Sequence, residues 1–493
     1  MQAPAVIVVD KKANIQGDFK FHMIKKEEII KRFDALAEKR QFWKDRNRYY
    51  YSDQENYFRF LVPERLSILE LGCGTGDLLN ALKPKRGVGI DFSSEMVRIA
   101  RERYPNIEFH TTDIEKIEGW GETFDVLIIS DVVGHLMDIE ETFRQLHIFC
   151  RPDTRLIISY YNFFWEPILK VGEMMGLKMP QHHQNWLSWY DICGLLSLSH
   201  FQVVKSEFRL LVPKRIPWFS DFINKYIASL PFLRKLCLCQ YIVARPVKQN
   251  QRREFSTTIL IPCKNEKGNI ESAVKRIPPF GQHQEMIFVD GRSTDGTREE
   301  INRIIKAYPD KDIKLLIQGG QGKGDAVRQG FNVASGDILM ILDADLTVPP
   351  EDLPKFYIAL AEDHGEFING CRLVYPMEKQ AMRFLNYLGN NFFSIMFTWI
   401  LNQRFKDTLC GTKALFKKDY EKIRTNRSYF GDFDPFGDFD LIFGATKLNL
   451  KVIEVPIRYR ERTYGKTNIS RFRHGWLLMK MTIFAYKKIK ILP

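Results

Sequence analysis

Two carboxylates one residue apart, Asp343 and Asp345, close the apolar run Ile338-Leu339-Met340-Ile341-Leu342. Alternation along a strand puts both on one side. Paired carboxylates of this kind suit a divalent cation with oxygen ligands, and such a metal offsets charge on a leaving diphosphate. Alone, the pair reads equally well as a turn with an aspartate cap. Other segments join it. Ile261-Pro262-Cys263-Lys264-Asn265-Glu266 and Val289-Asp290-Gly291 each end an apolar run, and Ser293-Thr294-Asp295-Gly296-Thr297 opens a helix after the second. Gly319–Asp325 (GGQGKGD) precedes the helix that leads to the aspartates. Lys323 there is placed to meet a phosphate or to stand as a solvated loop lysine. A Walker loop needs G-x-x-x-x-G-K-[ST], which this segment lacks.

A second constellation lies nearer the N-terminus, in Leu69-Glu70-Leu71-Gly72-Cys73-Gly74-Thr75-Gly76-Asp77. A strand running into a glycine turn and a helix lets the backbone approach a ligand closely. Asp91, at the end of Val88-Gly89-Ile90, is placed to accept both hydroxyls of a ribose. Asp113, in Thr112-Asp113-Ile114, ends the next strand and can hold an adenine amino group. A nicotinamide fingerprint would read G-x-G-x-x-G with a pyrophosphate on the helix N-terminus. Here Asp77 stands where the final glycine is expected, and a carboxylate there repels a pyrophosphate. A sulfonium amino acid, with positive sulfur and ammonium, favours acidic surroundings, and Glu70 points the same way.

The elements that must position these residues are legible as two alternating series. Residues 1–60 are mainly helical, with apolar positions at helical spacing between Glu27 and Lys44. Strand-like runs follow at Leu66–Leu71, Gly87–Ile90, Val126–Ile129, Leu156–Ser159 and Tyr241–Ala244. Pro246 to Glu254 is polar and aperiodic, as linkers are. A second series has strands at Thr257–Ile261, Met286–Val289, Ile313–Ile317, Ile338–Leu342 and Phe367–Gly370. Strands alternating with helices predict parallel sheets.

The first series resembles the class I S-adenosylmethionine-dependent methyltransferases over roughly residues 45 to 245. The likeness rests on Glu70–Gly76, Asp91-Phe92-Ser93 with Met96, Asp113-Ile114 and Ser130-Asp131-Val132. It implies that Glu70, Gly72, Gly74 and Gly76 hold the methionine part, Asp91 the ribose and Asp113 the adenine, with Phe92, Met96, Ile114 and Ser130 beside them. A hydroxyl acceptor needs a base, and His135 lies just after the fourth strand; a packing or capping histidine is the competing reading. His182 and His183 are weaker candidates.

The second series resembles family-2 glycosyltransferases of GT-A fold, which invert the anomeric centre, over about residues 255 to 475. Within them it is similar to dolichol- and polyprenol-phosphate sugar synthases, through Glu454-Val455-Pro456-Ile457 and Arg462-Thr463-Tyr464-Gly465-Lys466-Thr467-Asn468. Those synthases typically read R-x-Y-G-E-S-K, so Lys466 and Asn468 depart from the pattern. The likeness implies that Pro262, Asn265, Glu266 and Asp290 contact the nucleotide. Asp343 and Asp345, flanking Ala344, would bind Mg²⁺ or Mn²⁺. Lys323, Arg372, Arg462 and Lys466 would meet phosphates, which suits the planar fork of arginine. Asp440, fourteen residues before Glu454, or Asp438 is the candidate base if the acceptor is a hydroxyl. A capping or surface aspartate is the competing reading for each.

The chain as a whole looks like bacterial bifunctional fusions of these two domain types. The expected fold is α/β with two Rossmann-like domains: a helical extension over 1–45, a seven-stranded methyltransferase sheet over 46–246, a linker over 247–254, a GT-A domain over 255–475 and a basic amphipathic helix over 476–493. The expected donors are S-adenosylmethionine and a nucleoside-diphosphate sugar, and the expected acceptor is a polyprenyl phosphate or a glycan. The rival is a sugar transferase acting on a soluble saccharide, with a non-catalytic cofactor-sensing half.

Composition bounds these readings. A chain of 493 residues, 45% hydrophobic and 27% charged, exceeds one core and fits an ordinary globular protein of two or three domains. The net charge of +13 suits anionic partners, and from Ile457 onward ten Lys or Arg face one acidic residue, Glu461. Arg471 to Lys490 interleaves bases with aromatics, which suits an anionic membrane surface or a packed helix with solvated lysines; no recognised nucleic-acid module accompanies it. The eight cysteines form no C-x-x-C pair. No secretory signal is visible in the first ten residues. The expected compartment is the cytoplasm, with peripheral membrane docking. Phe384–Leu401 carries Asn386, Asn390 and Asn391 and reads as a helix packed on its domain rather than a span.

Overall fold

The computed structural model describes residues 7–8, 22–23, 26–181, 184–247, 254–373, 384–427, 438–460, 462, 464 and 471–491. The chain divides into two compact units, Met1–Val247 and Lys248–Ile491. Each is built on one seven-stranded sheet. Both are Rossmann-like, as the alternating series predict.

In the first unit the strands are β1 (Ser67–Leu71), β2 (Arg86–Asp91), β3 (Glu108–Thr111), β4 (Phe124–Ser130), β5 (Cys150–Tyr161), β6 (Phe201–Arg209) and β7 (Cys239–Pro246). Their order is β3-β2-β1-β4-β5-β7-β6. The first five are parallel, and β7 runs antiparallel to β5 and β6. Their central residues are buried as continuous apolar runs, as expected of parallel strands covered on both faces. From β1 the chain leaves to β2 and β3 on one side and returns to β4 on the other. The crevice at the carboxyl ends of β1 and β4 is therefore a topological switch point, where ligands bind in such sheets.

The sequence runs did not include β6. Its Lys205 and Glu207 are buried, and its register shifts between Val203 and Lys205. A bulge on an edge strand breaks the alternation from which strands are read. Three helices precede the sheet: α1 (Lys26–Ala37), α2 (Arg40–Arg46) and α3 (Arg48–Leu61). Helix α3 buries Tyr50, Gln54, Tyr57, Phe58 and Leu61, a stripe at helical spacing that docks on the sheet.

The second unit contains β8 (Ser256–Cys263), β9 (His283–Asp290), β10 (Asp312–Ile317), β11 (Ile338–Ile341), β12 (Phe367–Cys371), β13 (Lys413–Phe416) and β14 (Val452–Pro456). The order is β10-β9-β8-β11-β13-β12-β14. Strand β13 is antiparallel to β11 and β12, and β12 and β14 are parallel. The switch point here lies between β8 and β11. The helix Phe384–Leu401 packs on the helix Arg471–Ile489, with Trp399 and Tyr486 rings 5.3 Å apart. Leu478, Met481, Ala485 and Ile489 turn inward at helical spacing. Among the described residues no helix is long and apolar enough to cross a membrane.

Candidate active sites

The carboxyl ends of β1, β2, β4 and β5 open into a cavity of about 440 Å³, within the usual range of small-molecule sites. Glu70, Gly72, Gly74, Asp91, Phe92, Met96, Ser130 and His135 all line it. Residues from three strand ends thus converge although they span more than sixty positions of chain.

Glu70 is buried, and its Oε2 has no hydrogen-bond partner. Burial pushes its carboxyl up to about 8, with Lys44 opposing. Asp91 is also buried, and its two oxygens accept the Gly74 N–H (2.8 Å) and the Ser93 N–H (2.9 Å). It therefore ties the glycine turn to β2. Burial raises its pKa against those two hydrogen bonds and Arg40. His135 follows β4 in the one-turn helix Val133–His135, its ring edge-on to Phe33 at 5.4 Å. His182 and His183 lie outside the described residues.

Three expected cofactor contacts fall elsewhere. Gly76, at φ +77°, opens the helix Asp77–Ala81, and a Cβ there would come within 2.7 Å of Phe109. It is needed for helix–sheet packing, and it does not line the cavity. Asp113 does not line it either. Its Oδ1 accepts from Lys26 Nζ at 2.6 Å and from the Glu115 N–H at 3.0 Å. Ile114 is buried in a core cluster with Leu69, Ile90 and Leu127. The reason is local: β3 stops at Thr111, and the chain turns at once into the one-turn helix Ile114–Lys116. Asp77 does line the cavity, but Lys44 pairs with it, and Thr75 and Tyr104 hydroxyls donate to it at 2.6 and 2.9 Å. Burial alone would raise its pKa; Lys44, Thr75 and Tyr104 outweigh burial and hold it at about 2. Its charge is already matched, so it discriminates between phosphate and sulfonium ligands less than its bare presence suggested.

Sequence reasoning missed the residues contributed by α1–α3, and it read Asp131 after β4 only as part of the likeness, without a role. Phe33, Arg40, Lys44, Tyr50 and Gln54 line the cavity, so the segment read as an extension forms part of its wall. Arg40 Nε is buried with no partner. Asp131 sits at φ +57°, an uncommon conformation that aspartate tolerates. Its Oδ2 accepts from Tyr50 Oη (2.6 Å) and Gln54 Nε2 (2.9 Å). The one signal available beforehand was Arg40 and Lys44 four residues apart, which places both on one helix face.

In the second unit the loops after β8, β9 and β11 carry the expected residues. Arg462 joins two of them: its Nη1 donates to Glu266 Oε1 at 3.0 Å and its Nη2 to Asp345 Oδ2 at 2.6 Å. Burial raises the Glu266 pKa, with Arg462 and Asn269 opposing. Lys323 pairs with Asp343 at 2.6 Å, so it is not a solvated loop lysine. Burial would raise the Asp343 pKa, but Lys323, Lys413 and Arg372 outweigh it and hold that carboxyl below its usual value. The pair is tight enough that a Cβ on Gly411 would come within 2.1 Å of Asp343 Oδ2. Asp290 ends β9, fully buried, and accepts from Ser293 N–H (3.1 Å) and Arg298 Nη2 (3.1 Å). Asn265, at φ +57°, accepts the Thr294 N–H at 2.8 Å. Pro262 lies in β8 and Ala344 is buried in the turn between the aspartates.

Three expectations change here. Strand β11 ends at Ile341, so the two aspartates belong to the following turn and strand alternation does not orient them. Arg372 spends its fork on Asp407, with Nε–Oδ2 2.6 Å and Nη2–Oδ1 2.8 Å; it braces a buried carboxylate rather than standing ready for phosphate. Asp440, buried on the helix Asp438–Lys447, forms an ion pair with Arg427. The Asp438 side chain and Lys466 lie outside the described residues. Among those residues no group of three or more His, Cys, Asp and Glu is gathered to hold a metal. Asp343 and Asp345 supply two hard oxygen donors, which fits Mg²⁺ or Mn²⁺ only if phosphate and water complete the shell.

Comparison with known proteins agrees with this division. Residues 64–196 match the family model described as "Methyltransferase domain", and residues 258–424 match "Glycosyl transferase family 2". The glycosyltransferase AglJ of Haloferax volcanii is 29% identical over 222 residues, 45% of this chain and 68% of its own. A dolichol-phosphate mannosyltransferase of Pyrococcus furiosus is 31% identical over 237 residues, 46% of this chain and 64% of its own. The chain thus spans about two thirds of the length of these relatives. A SAM-dependent methyltransferase structure from Thermotoga maritima aligns over 44% of this chain and 99% of its own, with 16% identity and a TM-score of 0.36. The chain therefore carries two enzyme domains, a methyltransferase domain within its first unit and a family 2 glycosyl transferase domain within its second.

Proposed function

We propose that the second unit transfers a sugar from a nucleoside diphosphate to a polyprenyl phosphate, with inversion, and that the first transfers a methyl group from S-adenosylmethionine to a hydroxyl of a related lipid or glycan. The observation that supports the sugar-transfer reading best is the set Lys323–Asp343 and Glu266–Arg462–Asp345 beyond the β8/β11 switch point. Lys323 is paired with Asp343, and Arg462 with Glu266 and Asp345, so an arriving diphosphate can take over either cation. A divalent metal bound by Asp343 and Asp345 would neutralise the leaving diphosphate. Glu266, Asn265 and Asp290 would then face the nucleoside. A phosphate acceptor needs no base; a hydroxyl acceptor needs one, and Asp440 must leave Arg427 to serve. The relative named as dolichol-phosphate mannosyltransferase supports a lipid-phosphate acceptor, and the exposed Trp476 of the C-terminal helix supports membrane proximity.

Calorimetry of nucleoside diphosphates and their sugars, with and without Mn²⁺, tests the reading. A metal-dependent donor should bind the natural chain and be lost in Asp345→Ala. Donor binding indifferent to both metal and the substitution would sink the metal assignment.

For the first unit, the unpartnered Glu70 Oε2 and Arg40 Nε fit the ammonium and carboxylate of an amino acid. S-adenosylmethionine would supply an electrophilic methyl, and these residues would hold its amino-acid end. With Glu70 near 8, most chains at neutral pH carry a protonated carboxyl there. Binding an ammonium must expel that proton. Affinity should therefore rise roughly tenfold per pH unit as pH approaches 8 and level off above it. Glu70→Gln should flatten this profile and remove the proton release seen when titrations are compared in buffers of different ionisation enthalpy. A flat profile in the natural chain would exclude Glu70 as the ammonium site. The rival, a cofactor-sensing half without chemistry, predicts the same binding profile but no methylated product in single turnover.

A further inference from the structure

Two segments beside the cavity of the first unit ride on its surface. The helix Glu166–Met174 buries none of its side chains. Met174, at its end, is 88% exposed, and Ile168 and Met175 are exposed beside it. The second segment runs from Pro213 to Leu236 as short helical turns. Trp218 there is 91% exposed, Phe232 is 90% exposed, and Phe222 is exposed between them. The segments are tied together: the Trp165 indole N–H donates to Leu236 O at 2.8 Å, and Asn162 Nδ2 donates to Lys235 O at 2.7 Å. Both border the cavity, which Ile168 and Met175 line from one and Lys214 from the other.

An apolar face of this extent marks a contact surface. Its charge selects the occupant. Between Pro213 and Leu236 there are five Lys or Arg and one acidic residue, Asp221. Asp221 accepts a hydrogen bond from Tyr49, while Arg215, Lys225 and Lys235 are exposed. Exposed tryptophan, phenylalanine and methionine among unmatched basic residues is the composition of an interfacial segment on anionic lipid. We propose that this face docks the first unit on an anionic bilayer and turns the cavity mouth toward the headgroup layer, so that the methyl acceptor is a headgroup carried by a lipid. The acceptor part rests on the methyl-transfer reading above; the docking part does not.

Cosedimentation of the full chain with phosphatidylcholine vesicles, with and without phosphatidylglycerol, tests it. The natural chain should bind the phosphatidylglycerol vesicles preferentially. Trp218→Glu with Phe232→Glu should lower that partition roughly tenfold or more, with thermal unfolding unchanged because both side chains are almost wholly exposed. Lys225→Glu with Lys235→Glu should erase the preference for anionic vesicles. Unchanged partition in both double variants, with loss only in Trp476→Glu on the C-terminal helix, would overturn the proposal. So would a natural chain that self-associates in light scattering, ignores vesicles and is dispersed by the Trp218/Phe232 variant, since the face would then pair two copies. Calorimetry with S-adenosylmethionine keeps the readings apart. Vesicle binding by a chain that takes no S-adenosylmethionine supports docking and removes the cavity reading. Cofactor binding with no vesicle binding overturns docking alone.

Discussion

Asp343→Asn lowers the turnover of sugar transfer by roughly 10²–10³-fold, about 3–4 kcal/mol of barrier, while leaving binding of S-adenosylmethionine by the first unit unchanged. The substitution keeps the shape of the side chain and removes its charge. Asp343 is the carboxylate around which Lys323, Lys413 and Arg372 are arranged. With the charge gone, Lys323 no longer has its 2.6 Å partner, and a divalent metal held as proposed would lose one of two anionic ligands. A purely structural role predicts a different pattern. The chain would then melt earlier, while turnover per folded molecule would stay near the natural value. Steady-state kinetics over a range of Mn²⁺, beside urea unfolding of the same preparation, separates the two. Substituting Lys323→Met as well tests coupling. If the pair acts as a unit, the double variant costs much less than the sum of the single ones.

Arg372→Met destabilises the second unit by roughly 3–5 kcal/mol, because it leaves a buried carboxylate without its counter-charge. Asp407 is fully buried. Besides the fork of Arg372 it accepts the Arg372 N–H (3.0 Å), the Leu409 N–H (3.1 Å) and Asn390 Nδ2 (3.0 Å). The guanidinium also lies over the Tyr459 ring, 5.2 Å from its centroid. Burial would raise the Asp407 pKa; Arg372 and the other donors outweigh it and hold it below the usual value. The sign of the pH effect follows. In the natural chain the pair's contribution is fully present above the unfolded carboxyl pKa, about 4, and is lost as pH falls through the depressed folded value. In Arg372→Met the same carboxyl is pushed upward by burial, and protonating it relieves the cost. The stability gap between the two chains therefore narrows on acidification. A variant that folds as well as the natural chain but binds its donor weakly would instead make Arg372 a phosphate ligand.

The two sites were legible to different depths. The glycine turn of Gly72–Gly76, Asp91 after β2 and the aspartates after β11 could be located from neighbouring residues alone. Each is defined by where an apolar run stops, and burial of such a run is decided within a few positions. Asp113 shows the limit of that logic. Its place after β3 was read correctly, yet its side chain meets Lys26, eighty-seven residues earlier. Arg372 shows the same limit from the other side. Its chemistry suits a phosphate, and a buried aspartate thirty-five residues on takes it instead. Glu454, read as a motif, spends its oxygens on the Lys406 and Asp407 N–H groups, each at 2.8–3.0 Å, and so shapes the loop that carries Asp407.

The central strands, the glycine turn and the presence of paired carboxylates were thus determined by the sequence itself, since backbone freedom and apolar burial are properties of a residue and its near neighbours. Partner choice was not. Arg462 reaches Glu266 across 196 positions and Asp345 across 117, and Arg40 reaches the glycine turn from a helix outside the sheet. Only the folded sheets and the helices packed on them bring these groups together. Their surroundings then set their charge: burial pushes Glu70 up to about 8, while Lys323, Lys413 and Arg372 outweigh burial and hold Asp343 below its usual value.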